Sequence, residues 1–207
     1  IGQCTLMTSQ KGVMLGIVFT ELLDHIEDEG SLDLVDAVLA QANVEGAYTA
    51  VGHYPDAELD RILTAYAQVT GRDVHDVHRS TGRRLFGRFM RHHPYLVERY
   101  ATAQDLLENL EMHVHEEVRK LYPNSRPPTF HTLLRDDGVI ELTYISHRRL
   151  HAFAHGLLEG CFTHYGLGVD VDMTPNPSPN PSGDDASIRF TLTPIHLDHP
   201  TGRGPQA

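Results

Sequence analysis

The chain has 207 residues, of which 40% are hydrophobic and 22% charged, and its formal net charge at pH 7 is −11. These values are typical of one globular domain, and the negative charge argues against a nucleic-acid partner because phosphates would repel it. The longest uninterrupted apolar run, 13–19, is far shorter than the ~20 residues that a membrane span needs.

The chain's ends and its cysteines carry few signals. Residues 1–13 lack periodicity and are interpreted as a leader or a cloning remnant, whereas 14–195 form the domain and 196–207 a polar tail. Cys4 and Cys161 are too few for a disulfide framework or a zinc quartet, and no secretion signal is recognisable. We therefore expect a cytoplasmic protein.

Helical spacing of apolar residues predicts three helices in the first third of the chain. The first contains 18–26 and ends at Gly30, after which Ser31 is expected to cap the second. The third is predicted over 56–71, between a proline and a glycine.

Two further helices are predicted before the pattern changes. Asp73 is expected to cap a helix that is interrupted or bent near Gly82 and ends before Pro94. Arginines between 79 and 91 alternate with acidic and apolar residues, which favours a solvated helix face. A long amphipathic helix is predicted over 95–122.

The remaining sequence alternates in a way that is typical of strands. Segments 129–135 and 139–148 are predicted to form a hairpin that turns at 136–138. Two more strands are expected around 169–173 and 188–192.

The connections in this half are also predicted. Ser146 is expected to cap a helix that ends at Gly166, and 175–185 is a loop rich in Pro, Asn and Ser. Helices followed by an antiparallel four-stranded sheet with packed helices indicate an α+β fold.

Three polar side chains share one face of the predicted strand 139–148. Tyr144, Ser146 and Arg148 are spaced two residues apart, so they project on the same side. A phenol, a hydroxyl and a guanidinium in a row are suited to binding carboxylates or phosphates. The alternative is a half-exposed strand that ends in surface residues.

Two histidines lie near the end of the long predicted helix. His113 and His115 are each rotated by about 100° from the apolar stripe, on opposite sides of it. Helical periodicity therefore does not choose between them, and both could be half-exposed surface residues. The prolines that follow, Pro123, Pro127 and Pro128, mark a boundary.

Taken in this order, the three features resemble the H-NOX family, the haem nitric oxide/oxygen-binding domains that include the sensor domain of soluble guanylate cyclase. Tyr144, Ser146 and Arg148 match the family's YxSxR motif, whose side chains hold the haem propionates. The family's proximal histidine lies seven residues before the position of Tyr122, which implies that His115 is the iron ligand.

Other segments extend the resemblance to nearly the whole chain. Pro128, thirteen residues after His115, matches the proline that distorts the porphyrin. Segment 14–18 is similar to the family's opening, and 74–89 resembles the helix on the distal side of the haem. The resemblance implies a haem b buried between the helices and the sheet.

The family's oxygen binders have polar groups on the distal side. Their distal tyrosine, nine residues after the motif tyrosine, corresponds to Phe153, and their distal asparagine corresponds to Leu85. The resemblance thus implies an apolar gas pocket formed by Val18, Leu85, Phe89, Phe153 and Leu157.

The implied function is a sensor that binds NO and CO at ferrous haem and discriminates against O₂. NO would weaken or break the iron–His115 bond, the haem would relax from the distortion by Pro128, and the helix of His115 would move. A partner in trans, such as a histidine kinase, a cyclic-di-GMP enzyme, a chemotaxis receptor or a cyclase, would read the movement. We expect no membrane partner and no catalytic activity.

Two alternatives stay open. A haem enzyme such as a peroxidase would need acid and base groups on the distal side, where the matched residues are apolar. A haem-free interaction domain of the same fold would not need His115, Tyr144, Ser146 and Arg148, all of which are present.

Overall fold

A computed structural model describes residues 12–92, 94–121, 127–148, 150–176 and 186–196. The first half is helical and the second half contains an antiparallel four-stranded sheet, so the predicted α+β class is confirmed. The predictions for the leader before residue 12, for Tyr122 and Pro123, for most of the 175–185 loop and for the tail after 196 lie outside the described residues. None of the described helices is long and apolar enough to cross a membrane.

A two-stranded ribbon opens the described chain. Strand β1 (Val13–Leu15) pairs antiparallel with β2 (His53–Pro55). The backbone N–H of Asp56 extends this pairing by donating to the carbonyl of Gly12 at 3.0 Å. One residue of the segment interpreted as a leader, Val13, therefore belongs to the folded ribbon.

The boundaries that the sequence predicts for the first three helices are confirmed. Gly30 follows the first helix, the hydroxyl of Ser31 accepts a bond from the N–H of Leu34 at 3.4 Å, and Gly71 ends the third helix with a φ of 68°. A left-handed φ of this kind favours glycine because it has no Cβ. The helices are α1 (Gly16–Glu29), α2 (Leu32–Ala42) and α3 (Asp56–Thr70).

The fourth helix, α4 (Val74–His92), is capped by Asp73 as predicted, but the predicted interruption at Gly82 is wrong. The helix is continuous at Gly82, and the glycine is explained by a close contact with another helix, α7 (His151–His164). A Cβ at Gly82 would lie 2.1 Å from the carbonyl oxygen of Phe153. The glycine thus allows two helix backbones to touch.

Ion pairs attach α4 to its neighbours. Arg88, whose side chain is only 15% exposed, pairs with Glu21 and with Asp24 of α1, the latter at 2.8 Å. Arg79 pairs with Glu159 of α7 at 2.5 Å. These two arginines connect helices, which corrects the interpretation of a purely solvated face.

The long helix predicted over 95–122 is wrong in its first part. Pro94–Leu96 form a single turn of 3₁₀ helix, and α5 begins only at Ala103 (Ala103–Asn109). The reason is a cap that the periodicity does not register, since the hydroxyl of Thr102 accepts a bond from the N–H of Asp105 at 3.0 Å.

The same helix also changes its winding. Leu110–His115 form a π-helical segment, and α6 (Glu116–Leu121) continues after it. A π-helical turn contains one more residue than an α-helical turn, and such turns are frequent at functional sites.

The sheet has the order β3-β4-β6-β5 and is antiparallel throughout. The hairpin predicted at 136–138 is confirmed, with Gly138 at a φ of 81°. The four strands are β3 (Thr129–Leu134), β4 (Ile140–Ser146), β5 (Leu167–Pro175) and β6 (Ala186–His196).

Ser146 does not cap the following helix. It is the last residue of β4, and α7 begins five residues later at His151. Its hydroxyl accepts a hydrogen bond from the N–H of Arg148 at 3.0 Å instead. This bond stabilises the turn that leaves the strand.

Among the residues that the structure describes, two apolar clusters form the core. One lies among α1 to α4 and includes Phe153 of α7, and the other joins the sheet to α5 and the rest of α7. Their fully buried members include Phe19, Leu59, Leu63, Leu142, Phe162 and Phe190.

Candidate functional site

A cavity of about 340 Å³ lies where the two apolar clusters meet. Its volume falls within the range of about 300–1,000 Å³ that small-molecule sites have. The side chains that line it come from both clusters and are mostly apolar. Lining residues that the sequence did not single out for the site include Leu106, Leu107, Leu110, Val114 and Cys161.

Nearly all the site residues expected from the sequence line this cavity. They are His115, Pro128, Tyr144, Ser146, Arg148, Val18, Phe89, Phe153 and Leu157. Leu85 is the exception, because it is buried in the helical cluster and is not among the residues of the cavity wall. The expected place of Leu85 in the gas pocket stays a prediction.

The two candidate histidines differ in position. His115 lines the cavity, and its Nδ1 lies 3.1 Å from Oε2 of Glu111. His113 bonds through its own Nδ1 to the hydroxyl of Tyr100 at 2.8 Å and does not line the cavity. Since Glu111 occupies Nδ1, Nε2 is the nitrogen of His115 that remains for a ligand.

Glu111 was missed by the sequence analysis. Its carboxylate contacts His115, the guanidinium of Arg119 and the backbone N–H of Phe130. Burial alone would raise the pKa of Glu111, but these hydrogen bonds lower it to about 2. The signal in the sequence was the four-residue spacing between Glu111 and His115, which places both side chains on one side of a helix.

Tyr144, Ser146 and Arg148 form the polar part of the lining. Tyr144 is 3% exposed, and burial raises the pKa of its phenol, so the hydroxyl keeps its proton. That hydroxyl donates to the carbonyl of Arg148 at 3.4 Å. The row of donors predicted from the strand spacing is therefore present beside the apolar cavity.

Arg148 is fixed by groups from the other half of the chain. Its Nε donates to Asp56 at 2.7 Å, and its Nη2 donates to the carbonyl of Val13 at 2.9 Å. Asp56 also contacts Nε2 of His147 at 3.0 Å. Burial would raise the pKa of Asp56, but the bonds from Arg148 and His147 lower it.

The proline segment reaches the cavity through Pro127 and Pro128. Phe130, two residues further on, has its ring centre 5.5 Å from that of His115 and 5.5 Å from that of Tyr144. The first residues of β3 thus connect the histidine with the polar part of the lining.

A model of the family described as haem-NO-binding matches residues 15–173. This chain belongs to the haem-NO-binding family. It is thus related to haem-based gas-sensor domains, and the resemblance to H-NOX proteins seen in the sequence is confirmed. No curated protein sequence matches the chain significantly.

Solved H-NOX structures share the fold. The unliganded Fe(II) H-NOX protein from K. algicida is 28% identical, with a TM-score of 0.78 over 90% of this chain and 99% of that one. An H-NOX protein from S. oneidensis in the Fe(II)NO state is 25% identical, with a TM-score of 0.75 over 87% and 99%. A T. tengcongensis H-NOX mutant, 20% identical with a TM-score of 0.77, shows likeness of fold alone.

The residues of the H-NOX cavity fit a haem. A haem needs apolar walls, one axial ligand and partners for two propionates, and the cavity offers apolar side chains, the imidazole of His115 and the donors Tyr144, Ser146 and Arg148. Among the described residues, no group of three or more His, Cys, Asp or Glu side chains could hold a metal ion. A single axial imidazole suits an iron whose equatorial ligands come from a porphyrin.

Proposed function

We propose that this chain binds haem b through His115 and senses NO, with CO as a second ligand and O₂ excluded. The observation that carries the proposal is one imidazole in a mostly apolar cavity wall that includes Phe153, with the polar side chains Tyr144, Ser146 and Arg148 in the same lining. Ferrous haem bound in this cavity would supply an iron that takes a diatomic gas, and His115 would hold that iron through a bond that NO would weaken. The protein's own residues then decide which gas stays and what moves.

Discrimination against O₂ rests on the absence of a donor near Phe153. Among the described lining residues, Val18, Phe89, Phe153 and Leu157 carry no hydrogen-bond donor in their side chains. Bound O₂ is polar and gains most from a hydrogen bond, and a missing donor costs about 1–3 kcal/mol, or about one to two decades of affinity. NO and CO do not depend on that bond.

The polar residues orient the haem in this proposal. Arg148 would hold one propionate by charge, and the hydroxyl of Ser146 would donate a hydrogen bond. The hydroxyl of Tyr144 would donate a second one in place of its 3.4 Å bond to the carbonyl of Arg148. The pairing of Arg148 with Asp56 and the carbonyl of Val13 keeps the guanidinium in place before haem enters. Pro128 presses on the ring and favours a distorted shape.

The signal is a displacement of the segment that carries His115. This segment is π-helical and lies between α5 and α6, and such an irregular turn supports a two-state role because it can rewind locally. A partner in trans reads the movement, in the classes of histidine kinase, cyclic-di-GMP enzyme or cyclase. The domain acts in the cytoplasm and needs no catalytic activity of its own.

Absorption spectra of the ferrous protein without ligand, with NO, with CO and in air test the proposal. We expect stable spectra with NO and CO, no oxygen complex in air, and an NO spectrum of iron that has lost His115. In His115→Gly the unliganded spectrum changes, whereas in His113→Gly it stays as in the parent. An air-stable oxygen complex, or unaltered spectra in His115→Gly, would contradict the proposal.

Failure to acquire a Soret band after reconstitution with haem would favour the haem-free interaction domain. Rapid turnover of peroxide would favour the haem enzyme.

A further inference from the structure

Glu111 is the only side chain among the described residues that hydrogen-bonds to the ring of His115. The contact joins Oε2 of Glu111 to Nδ1 of His115 at 3.1 Å, within the π-helical segment Leu110–His115. The side chains are 28% and 13% exposed, so water competes only partly with this bond.

We propose that Glu111 is a positioning residue that sets the electron donation of His115 to the iron. A carboxylate that accepts the Nδ1–H bond fixes the imidazole tautomer with its lone pair on Nε2, and it makes Nε2 more basic. The proposal rests on the proposed function, in which His115 is the axial ligand. In this proposal, Glu111 sets the strength of the bond between His115 and the iron, which is the bond that NO would weaken.

The other contacts of Glu111 keep this carboxylate charged and fixed. Arg119 donates to Oε1, the oxygen that His115 does not use, and the N–H of Phe130 donates to Oε2 at 3.2 Å. An ionised acceptor forms a stronger hydrogen bond than a neutral one. The bond from Arg119 leaves Oε2 as the oxygen that accepts from His115.

The hydrogen bond from the N–H of Phe130 connects the contact between Glu111 and His115 to the sheet. Phe130 lies in β3, two residues after Pro128, so one carboxylate connects the histidine to the strand that carries the proline segment. If His115 left the iron, its hydrogen bond to Glu111 would still hold the imidazole. The π-helical segment then moves with a fixed link to the start of β3.

A plain structural reading would make Glu111 an ordinary surface ion pair with a protonated His115. The two readings differ in the haem-free protein. A positioning carboxylate predicts a neutral His115 with its proton on Nδ1, which ¹⁵N NMR of histidine-labelled apoprotein in mildly alkaline buffer detects. A neutral ring with its proton on Nε2 would overturn the proposal without any variant.

The haem-loaded protein gives the second test, with Glu111→Gln and Glu116→Gln as a matched pair. Both remove one negative charge, and Glu116 is an exposed neighbour of His115 that pairs with Lys120 at 3.0 Å. In Glu111→Gln we expect the iron–histidine stretch in resonance Raman spectra of the unliganded ferrous protein to move to lower frequency, and the haem reduction potential to rise. Glu116→Gln leaves the stretch unchanged.

Haem affinity provides a third readout. Loss of a residue that orients a metal ligand typically lowers affinity by about 10–100-fold, so Glu111→Ala should lose haem faster than Glu116→Ala. An unshifted stretch and potential in Glu111→Gln would overturn the role of Glu111 while leaving haem binding by His115 intact. A parent protein that takes up no haem would instead contradict the proposed function.

Discussion

Arg148 is held on two sides before any ligand arrives. Its side chain and that of Asp56 are only 9% and 12% exposed, and the pair joins the end of β4 to the start of α3. An ion pair this well buried is costly to break from one side because the other charge is left uncompensated. Asp56 therefore has both a structural role and an indirect role in placing the guanidinium.

Replacing Asp56 by Asn should lower the free energy of unfolding at neutral pH by about 1–3 kcal/mol, because Arg148 loses its charged partner. The pKa of Asp56 is depressed below its usual 3.8 in the folded state, so its contribution is complete above that value and is lost as the pH falls below it. Denaturation as a function of pH should thus show a gap between parent and variant that closes in acid. Asp60→Asn, an exposed site on the same helix, is the control.

Phe153 gives the sharpest test of gas selectivity. Phe153→Tyr adds a hydroxyl to the cavity wall, and a hydrogen bond of about 1–3 kcal/mol should raise O₂ affinity by about one to two decades. Phe153→Leu alters the packing without adding a donor and should not bind O₂. Oxygen titration of the ferrous proteins checks both, and equal O₂ affinity in Phe153→Tyr and the parent would count against the distal assignment.

Some of the site residues could be predicted from local sequence patterns, and others could not. The row Tyr144, Ser146 and Arg148 followed from strand spacing, since period two is a local property. The choice of His115 over His113 required either a family resemblance or the fold, because it depends on which face of a helix meets the sheet. Asp56 had no local signal, as its partner Arg148 lies 92 residues away.

At the scale of elements, the contact between α4 and α7 is set by glycines. A Cβ on Gly156 would lie 1.9 Å from the carbonyl oxygen of Arg79, and one on Gly82 would meet that of Phe153 at 2.1 Å. Since Phe153 and Leu157 of α7 line the cavity, the distance between these helices also sets the cavity's width.

Gly82→Ala should destabilise the fold by about 1–3 kcal/mol, because the added methyl group would force the two helices apart. Gly87→Ala on the same helix should stabilise it by about 0.5–1 kcal/mol, since the nearest atom to its Cβ would be a guanidinium nitrogen of Arg91 at 3.9 Å. Chemical denaturation measures both. A Gly82→Ala variant as stable as Gly87→Ala would contradict the close approach.

The elements that sequence patterns predicted best were those with local stop signals. Gly30, Ser31 and Gly71 fixed helix ends because each acts through its own backbone or side chain. The segment 95–122 was wrong because an apolar stripe can continue across a break, and neither the cap at Thr102 nor the π-helical winding changes that stripe enough to be noticed.

At the scale of the whole molecule, the described residues form two apolar clusters with a cavity between them. The cavity is lined by residues of both clusters, so a ligand bound in it would join the two clusters into one continuous core. Interiors are otherwise packed without voids, so a gap of this volume lowers stability until it is filled.

Removal of haem should therefore destabilise the protein as a whole. A ligand present at 1,000 times its dissociation constant adds about 4 kcal/mol to the free energy of unfolding. We expect the apoprotein to unfold at lower denaturant concentration than the haem-loaded protein, as followed by circular dichroism. Identical midpoints would mean that haem does not occupy the core.

The thiol of Cys161 offers a way to measure how often this cavity opens to solvent. Its thiol is 1% exposed, lines the cavity, and has a pKa raised by burial to about 12. An alkylating reagent can react only when the walls separate, because the reactive thiolate forms on contact with water. In a Cys4→Ser background, the rate at which Cys161 is alkylated would measure how often the cavity opens. We expect each gas to change this rate by a different factor.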